Sequence, residues 1–166
     1  LADNGIIYSE TFDETAKKVM ELACGHEVEI KKIFDNDIDV DAGVKKFAPS
    51  QKYYRAILCG GSLADETQIL WRKNMGDLYS NVAFDKNLIL PDPFTSIKNT
   101  VIDIGDETFT KGRAHVAIDP TARVTRFIKE ARDPETAVIY LDFLLGYALH
   151  ADPASVMAEV IVEEKK

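Results

Sequence analysis

The 166-residue sequence has few cysteines and no long apolar run. Two cysteines, Cys24 and Cys59, are too few for the disulfide framework of a small secreted protein, and we expect a reducing, cytoplasmic setting. No apolar run reaches the roughly 18 residues that a membrane span needs. Residues 1–15 also lack the basic start and apolar core of a signal peptide. The sequence therefore argues against a disulfide-stabilised secreted domain and against a membrane-spanning protein.

Positive charge is also scarce. Lys and Arg total 20 against 28 Asp and Glu, which gives a formal net charge of −8. A net acidic chain does not attract nucleic acid or an anionic membrane as a whole, so we expect neither as a partner. Any anion site must therefore be local. Zinc-type Cys and His spacing and the Gly-x-Ser-x-Gly elbow of hydrolases do not occur, and we predict no metal site and no hydrolase triad.

Residues 1–46 are predicted to be a helical lead-in followed by an acidic loop. Apolar residues recur at helical spacing through SETFDETAKKVMELA (9–23), with Ser9 as the expected N-cap and Gly25 as the stop. The following VEIKKIF is compatible with a strand. The run DNDIDVDAG (35–43) lacks the glycine and terminal-glutamate spacing of an EF-hand, which favours a solvated loop over a calcium site.

Residues 47–166 alternate between short β-prone runs and amphipathic helical segments. The last β-prone run is nearly all apolar, which is typical of a strand buried on both faces. Because parallel strands need crossover helices, the alternation predicts a doubly wound α/β domain with a parallel sheet. The predicted strands are YYRAIL (53–58), LYSNVAF (78–84), TVIDIG (100–105) and TAVIYLDFLLG (136–146).

Three helices are predicted between and after these strands. The first spans residues 62–76 with Ser62 as its N-cap. The other two start at the Asp–Pro pairs 119–120 and 152–153, because Asp at the N-cap and Pro at the first position is a favoured order. The expected inner face of the second helix is Val124, Phe127, Ile128 and Ala131, and that of the third is Val156, Met157, Val160 and Ile161.

Candidate binding residues follow the predicted strands. In open α/β sheets, ligands bind beyond the carboxyl ends of the strands, which here are loops beginning at Gly60, Gly105 and Gly146. In ILCGGSLADE, the pair Gly60–Gly61 lets an anion approach the backbone, and Ser62 adds a hydroxyl at a helix start. A tight turn without a ligand remains the alternative, because the pattern is neither a dinucleotide fingerprint nor a P-loop.

A second candidate is the polar connection GDETFTKGRAHVAIDP (105–120). Arg113 is suited to clamp a carboxylate or phosphate, and His115 is of the residue type that serves most often as a proton donor or acceptor near neutral pH. The alternative is a solvated loop with His115 bonded to backbone. His150 precedes a predicted helix start and is more typical of a plain loop histidine than of a ligand contact. Cys59 is more typical of a core residue than of a nucleophile, because nothing beside it in the sequence would lower the pKa of its thiol.

Two longer motifs carry a family resemblance. PSQKYYRAILCGGSLADE and IDIGDETFTKGRAHVAIDPTARVTRFIKEARDPETAVIYLDFLLGYALHADPA together resemble the FdrA family, over about residues 47–155. That family resembles succinyl-CoA synthetase and is often labelled acyl-CoA synthetase. The resemblance implies a flavodoxin-like CoA-ligase domain over 47–166, in which a glycine-led helix start faces a phosphohistidine. It implies that Gly60, Gly61 and Ser62 face phosphate, with Gly146 as a weaker candidate.

The sequence also departs from the synthetases. A Gly-His-Ala-Gly-like phosphohistidine loop does not occur, and neither does a nucleotide-grasp domain or a CoA-binding Rossmann half. Typical FdrA proteins continue past residue 166 with another strand, so we expect the domain to be incomplete at its C-terminus. The resemblance therefore implies a domain that acts with other domains or subunits in a homo- or hetero-oligomer.

The expected function is an acyl-CoA synthetase-like domain that binds phosphate, CoA or an acyl phosphate and carries no cofactor within the chain. His115 and Arg113 are the candidate catalytic residues and are expected to orient the substrate. One alternative is a subunit of an oxamate-type carbamoyltransferase in purine (allantoin) nitrogen catabolism, with carbamoyl phosphate at the same site. Another is a non-catalytic module for dimerisation or partner binding.

Overall fold

The computed structural model describes residues 5–29 and 39–165. They belong to two units, residues 1–46 and 47–166, which are described separately. In the first unit, helix α1 spans Phe12–Cys24. Its N-cap is Thr11 rather than Ser9, because the Thr11 hydroxyl accepts a hydrogen bond from the Glu14 N–H. The predicted stop at Gly25 is confirmed: this residue has φ +74° and donates its N–H to Glu21 O.

The acidic run of the first unit is helical where it is described. Helix α2 spans Val40–Val44 and is capped by Asp39, whose carboxylate accepts a hydrogen bond from the Ala42 N–H. The prediction of a loop through residue 43 is therefore wrong at this end, because Asp39 acts as an N-cap instead of being only a solvated charge. The rest of the acidic run and most of VEIKKIF lie outside the described residues.

The second unit is built on a parallel four-stranded sheet, which confirms the predicted α/β class. The strands are β1 (Tyr53–Leu58), β2 (Tyr79–Ser80), β3 (Thr100–Asp103) and β4 (Thr136–Leu141), in the order β2-β3-β1-β4. The first strand is thus central: it pairs with β3 on one side and with β4 on the other.

Helices cover both faces of this sheet, as in a doubly wound fold. They are α3 (Gly61–Met75), α4 (Glu107–Thr110), α5 (Thr121–Ala131) and α6 (Pro153–Glu164), and a 3₁₀ turn spans Lys86–Leu88. Strand β1 alternates between the faces: Ile57 packs in one apolar cluster with Phe127 of α5 and Met157 of α6. On the other face, Leu58 packs with Ala64 of α3. Each fully buried aliphatic side chain of this kind contributes roughly 1.5–3 kcal/mol.

Two helix starts differ from the sequence prediction. The N-cap of α3 is Gly60 rather than Ser62. Helix α5 begins at Thr121, one residue later than expected, and the Asp119 carboxylate accepts a hydrogen bond from the Thr121 N–H. Helix α6 follows the prediction, with Asp152 as N-cap and proline in the first turn.

The prediction that 136–146 is a strand buried on both faces is wrong. Strand β4 lies at the edge of the sheet and ends at Leu141, and most of its residues are only half-buried. The chain leaves the ladder at Asp142, which turns inward and binds the Cys59 N–H through its carboxylate. The next five residues are exposed, and Tyr147 is fully so.

Helix α5 buries charged residues that its apolar pattern does not reveal. Phe127 is buried as expected, but so are Arg123, Arg126 and Glu130. The Glu130 carboxylate accepts hydrogen bonds from Arg55 Nε at 3.1 Å and from Arg126 Nε at 2.6 Å. This buried ion network joins α5 to the central strand.

No helix in the described ranges 5–29 and 39–165 is long and apolar enough to cross a membrane.

Candidate functional site

The strands β1 and β3 end side by side at the carboxyl edge of the sheet, and the position between their ends is called the crevice below. These neighbouring strands lead into helices on opposite faces: α3 follows β1, and α5 follows β3. Adjacent strands whose connections diverge in this way define the ligand-binding position of open α/β sheets. The Ile104 N–H donates to Leu58 O at 2.7 Å, so the two strand ends are held together as far as this edge.

Helix α3 opens onto this crevice with an uncapped first turn. Its N-cap, Gly60, is extended (φ −173°, ψ 141°) and has no side chain to cap the helix. Within residues 5–29 and 39–165, no side chain is seen to accept a hydrogen bond from the first N–H groups of α3. By contrast, α1 and α6 are capped by Thr11 and Asp152, and Thr121 at the start of α5 bonds to Asp119. The first N–H groups of a helix need partners, and a bound anion supplies them where side chains do not.

Asp103 closes one side of the crevice. It is the last residue of β3 and is 6% exposed. A Cβ built on Gly61 would lie 3.5 Å from Asp103 Oδ2, so the carboxylate borders the start of α3. Burial raises the pKa of Asp103, and the nearby carboxylates Asp106 and Asp142 act in the same direction, against opposing effects of the Gly105 N–H and His115. Proton uptake at this edge is therefore favoured relative to an ordinary aspartate.

Gly105 is required by packing. A Cβ at this position would lie 2.8 Å from His115 Nε2, 2.9 Å from Cys59 O and 3.1 Å from Asp103 Oδ1. Gly60 is different, since a Cβ there would meet nothing within 4 Å. The two glycines therefore do different things: Gly105 lets the strand ends and His115 close up, whereas Gly60 leaves open space in front of α3.

The imidazole of His115 borders the crevice at Gly105. The Ala117 N–H donates to His115 Nδ1 at 3.2 Å, which occupies the lone pair of that nitrogen. In the neutral ring the proton is then on Nε2, the nitrogen nearest Gly105. The segment is held in place from the neighbouring loop, because the His150 N–H donates to Ala117 O at 2.8 Å. His115 thus presents an N–H donor at the same edge as α3.

A buried group of Cys59, Asp142 and Arg123 lies behind the β1 end. Asp142 accepts hydrogen bonds from the Cys59 N–H and thiol and from the Arg123 guanidinium, at 3.0–3.2 Å. Burial raises the pKa of the Cys59 thiol to about 11, and Asp142 adds to the shift against the opposing effect of Arg123. Cys59 therefore remains a protonated core residue and is not a nucleophile near neutral pH.

The remaining sequence candidates lie elsewhere. Ser62 is exposed in the first turn of α3. Arg113 is exposed and lines a cavity beside α5 instead of the crevice. Gly146 lies in the exposed loop after β4, and α6 begins only at Pro153 with its first turn capped by Asp152. The structure thus brings Gly60, Gly61, Ser62, Gly105 and His115 to one edge and leaves Arg113 and Gly146 outside it.

Asp103 and Asp142 are the site residues that the sequence analysis missed. Both come at or directly after the end of a β-prone run, in TVID and TAVIYLD. An acid at the end of a strand lies at the carboxyl edge of a parallel sheet, where ligands bind. The position of these two acids in the sequence could therefore have identified them as site candidates. The partner of Asp142, Arg123, has no such signal because it lies within a helical pattern.

Comparison with known proteins gives the family of this domain. Residues 57–166 match the CoA-ligase family, a range that begins in β1 and takes in the whole crevice. The chain belongs to the CoA-ligase family. The CoA-ligase domain is also similar to the uncharacterized protein YahF of Escherichia coli (strain K12), with 48% identity over 120 residues. These residues are 72% of this chain but 23% of the length of YahF.

The chemistry of the crevice follows from the groups that border it. In the described ranges there is no group of three or more His, Cys, Asp or Glu placed to hold a metal ion. What the described crevice offers is backbone N–H groups, one imidazole and one buried carboxyl group. These groups are suited to donating hydrogen bonds to an anion and to holding a proton beside it.

Proposed function

We propose that this CoA-ligase domain is an acyl-CoA synthetase-like module of the FdrA type that holds a phosphate, the phosphates of CoA or an acyl phosphate in the crevice. The observation that carries the proposal is the uncapped start of α3 behind Gly60 and Gly61. Free N–H groups and the helix dipole both favour an anion at that position. In the part of the chain that the structure describes, no side chain has to leave these groups before an anion binds.

His115 is the second donor of the proposed site. With Nδ1 occupied by the Ala117 N–H, Nε2 is free to donate a hydrogen bond to a phosphate oxygen. The same hydrogen bond disfavours attack by Nε2, because the ring would first have to shift its proton to Nδ1 and lose a bond worth about 1 kcal/mol. In this arrangement His115 orients the anion, as the sequence analysis expected.

Asp103 makes the proposed binding depend on pH. An anion at the start of α3 lies beside this carboxyl group and is repelled by its charged form. Because burial raises the pKa of Asp103, its protonated form is available at higher pH than for an exposed aspartate. Binding of phosphate is therefore expected to tighten as the pH falls towards the titration of Asp103.

Other domains or subunits complete the activity in this proposal. The region shared with YahF is 23% of that protein, so a relative carries much more chain than this domain. A homo- or hetero-oligomeric complex would supply the nucleotide site and the remaining catalytic groups. Both described cysteines are unpaired, which is consistent with a reducing cytoplasm.

The test is a titration with inorganic phosphate, acetyl phosphate, carbamoyl phosphate and CoA, followed by amide NMR shifts. Saturable shifts are expected at Gly61, Ser62 and Leu63. Ser155 is the internal control, because its N–H in the first turn of α6 is already bonded to Asp152. If the α3 amides do not shift with any of the four compounds, the proposal is wrong and a non-catalytic partner module is favoured. Tighter binding of carbamoyl phosphate than of the others would instead support the carbamoyltransferase alternative.

A further inference from the structure

A second concave site lies beside α5 and shares no lining residue with the crevice. It has a volume of about 340 Å³ and is bounded by Phe94, Phe109, Lys111, Arg113, Arg126 and Lys129. This volume falls within the range of small-molecule sites, about 300–1,000 Å³. None of the described residues that line it is an aspartate or glutamate. In a chain of net charge −8, four cationic side chains around one cavity are a local exception.

Two of these cations are already used by the fold. Arg126 binds Glu130, Ser96 and the Pro93 carbonyl, and Lys129 binds the Phe94 carbonyl at 2.5 Å. These bonds fix the loop that carries Phe94 against α5. The wall of the cavity is therefore preformed, which lowers the entropic cost of binding a ligand.

The other two cations are available. Lys111 and Arg113 are exposed, and neither side chain forms a hydrogen bond or salt bridge within the described part of the chain. One competitor for Arg113 is Asp119: hydrogen bonds from Thr121 lower the pKa of Asp119, and the charge of Arg113 adds to that shift. Asp119 is itself held by Thr121, which leaves the Arg113 guanidinium free to turn towards a ligand.

An aromatic surface accompanies the two free cations. Phe94 is 53% exposed, and its ring stands edge-on to buried Phe109 with 5.0 Å between the ring centroids. One ring is thus anchored in the core while the other presents a face to solvent. A planar apolar group bound there would cover Phe94, and Thr108 and Thr125 offer hydroxyls at the same cavity.

We infer that this cavity binds a small anion that carries a planar apolar group, namely an aromatic carboxylate or phosphate monoester. Its anionic end is held by Lys111 and Arg113, and its ring packs on Phe94 beside Phe109. The site is independent of the phosphate proposed at α3, and either can be absent without the other.

The test uses phenyl phosphate and inorganic phosphate as probes, followed by amide NMR shifts of the protein and its variants. Phenyl phosphate is expected to shift the amides of Phe109, Ala122 and Thr125. Arg113→Gln is expected to weaken its binding about tenfold, because it removes charge-assisted hydrogen bonds. Arg72→Gln, which removes an exposed arginine on α3, is the matched control and should leave the affinity unchanged.

A second variant separates the aromatic contact from simple charge attraction. Phe94→Ala removes a half-exposed ring, so it should leave the fold intact. It is expected to weaken phenyl phosphate about threefold to tenfold while leaving inorganic phosphate unchanged. The inference is overturned if phenyl phosphate at millimolar concentration shifts none of the three cavity amides. It is also overturned if Arg113→Gln and Arg72→Gln have equal effects.

Discussion

Replacing Gly105 by alanine tests how the crevice is assembled. The added methyl group would lie 2.8 Å from His115 Nε2, 2.9 Å from Cys59 O and 3.1 Å from Asp103 Oδ1. The Cys59 carbonyl belongs to the backbone that leaves β1, and Asp103 Oδ1 is fixed by its 2.8 Å hydrogen bond from the Gly105 N–H. Overpacking of this kind costs about 1–3 kcal/mol, and loss of a hydrogen bond adds about 1 kcal/mol. We expect Gly105→Ala to lower the free energy of unfolding by about 2–4 kcal/mol.

Gly60→Ala is the matched control for this measurement. Gly60 has an extended backbone that any residue can adopt, and a Cβ there meets nothing within 4 Å. The smaller entropy of the unfolded alanine chain and the weaker N-cap preference of alanine oppose each other, so the expected change is within about 1 kcal/mol. Urea unfolding with equal slopes for both variants gives the two free energies. Equal stability of the two variants would refute the packing role assigned to Gly105.

Three further predictions follow from buried groups. Glu130→Gln removes the carboxylate shared by buried Arg55 and Arg126, although Arg55 keeps its salt bridge to Asp133, and should cost about 3–5 kcal/mol in urea unfolding; a loss below about 1 kcal/mol would contradict the network. In the native protein a thiol reagent near neutral pH should modify exposed Cys24 and spare Cys59, whose pKa is raised by burial to about 11; rapid modification of both would oppose this. Because burial raises the pKa of Asp103, the folded state binds its proton more tightly than the unfolded chain does, so the free energy of unfolding falls as the pH rises from the usual carboxyl range through the raised pKa. Asp103→Asn should remove that fall, and an unchanged pH profile of stability would argue against it.

The fold was predictable because its helices and strands follow simple patterns. The β-prone runs and the Asp152–Pro153 helix start predicted an α/β sheet, and the structure confirms both. The polar interior was not predictable in the same way. Arg123 and Glu130 lie in an amphipathic helix where charges normally face water, and only the three-dimensional position of their partners makes burial favourable.

The candidate site was predictable in its location but not in its composition. The rule that ligands bind at the carboxyl ends of strands placed Gly60 and Gly105 at one edge. It could not distinguish the packing role of Gly105 from the open position of Gly60. The role of Gly105 depends on atoms of Cys59, Asp103 and His115, which come together only in the folded structure. It also grouped Arg113 with His115, although Arg113 lines the cavity beside α5 and His115 lies against Gly105.

The central position of the first strand has a consequence for how the domain forms during synthesis. Strand β1 gains one neighbour when Thr100–Asp103 is available and the other only with Thr136–Leu141. Every contact that completes the sheet around it is therefore remote in sequence, which slows folding relative to a protein of local contacts. While the ribosome adds the intervening residues, both edges of an apolar strand are without partners, and the nascent domain is then most exposed to mispairing and to capture by chaperones.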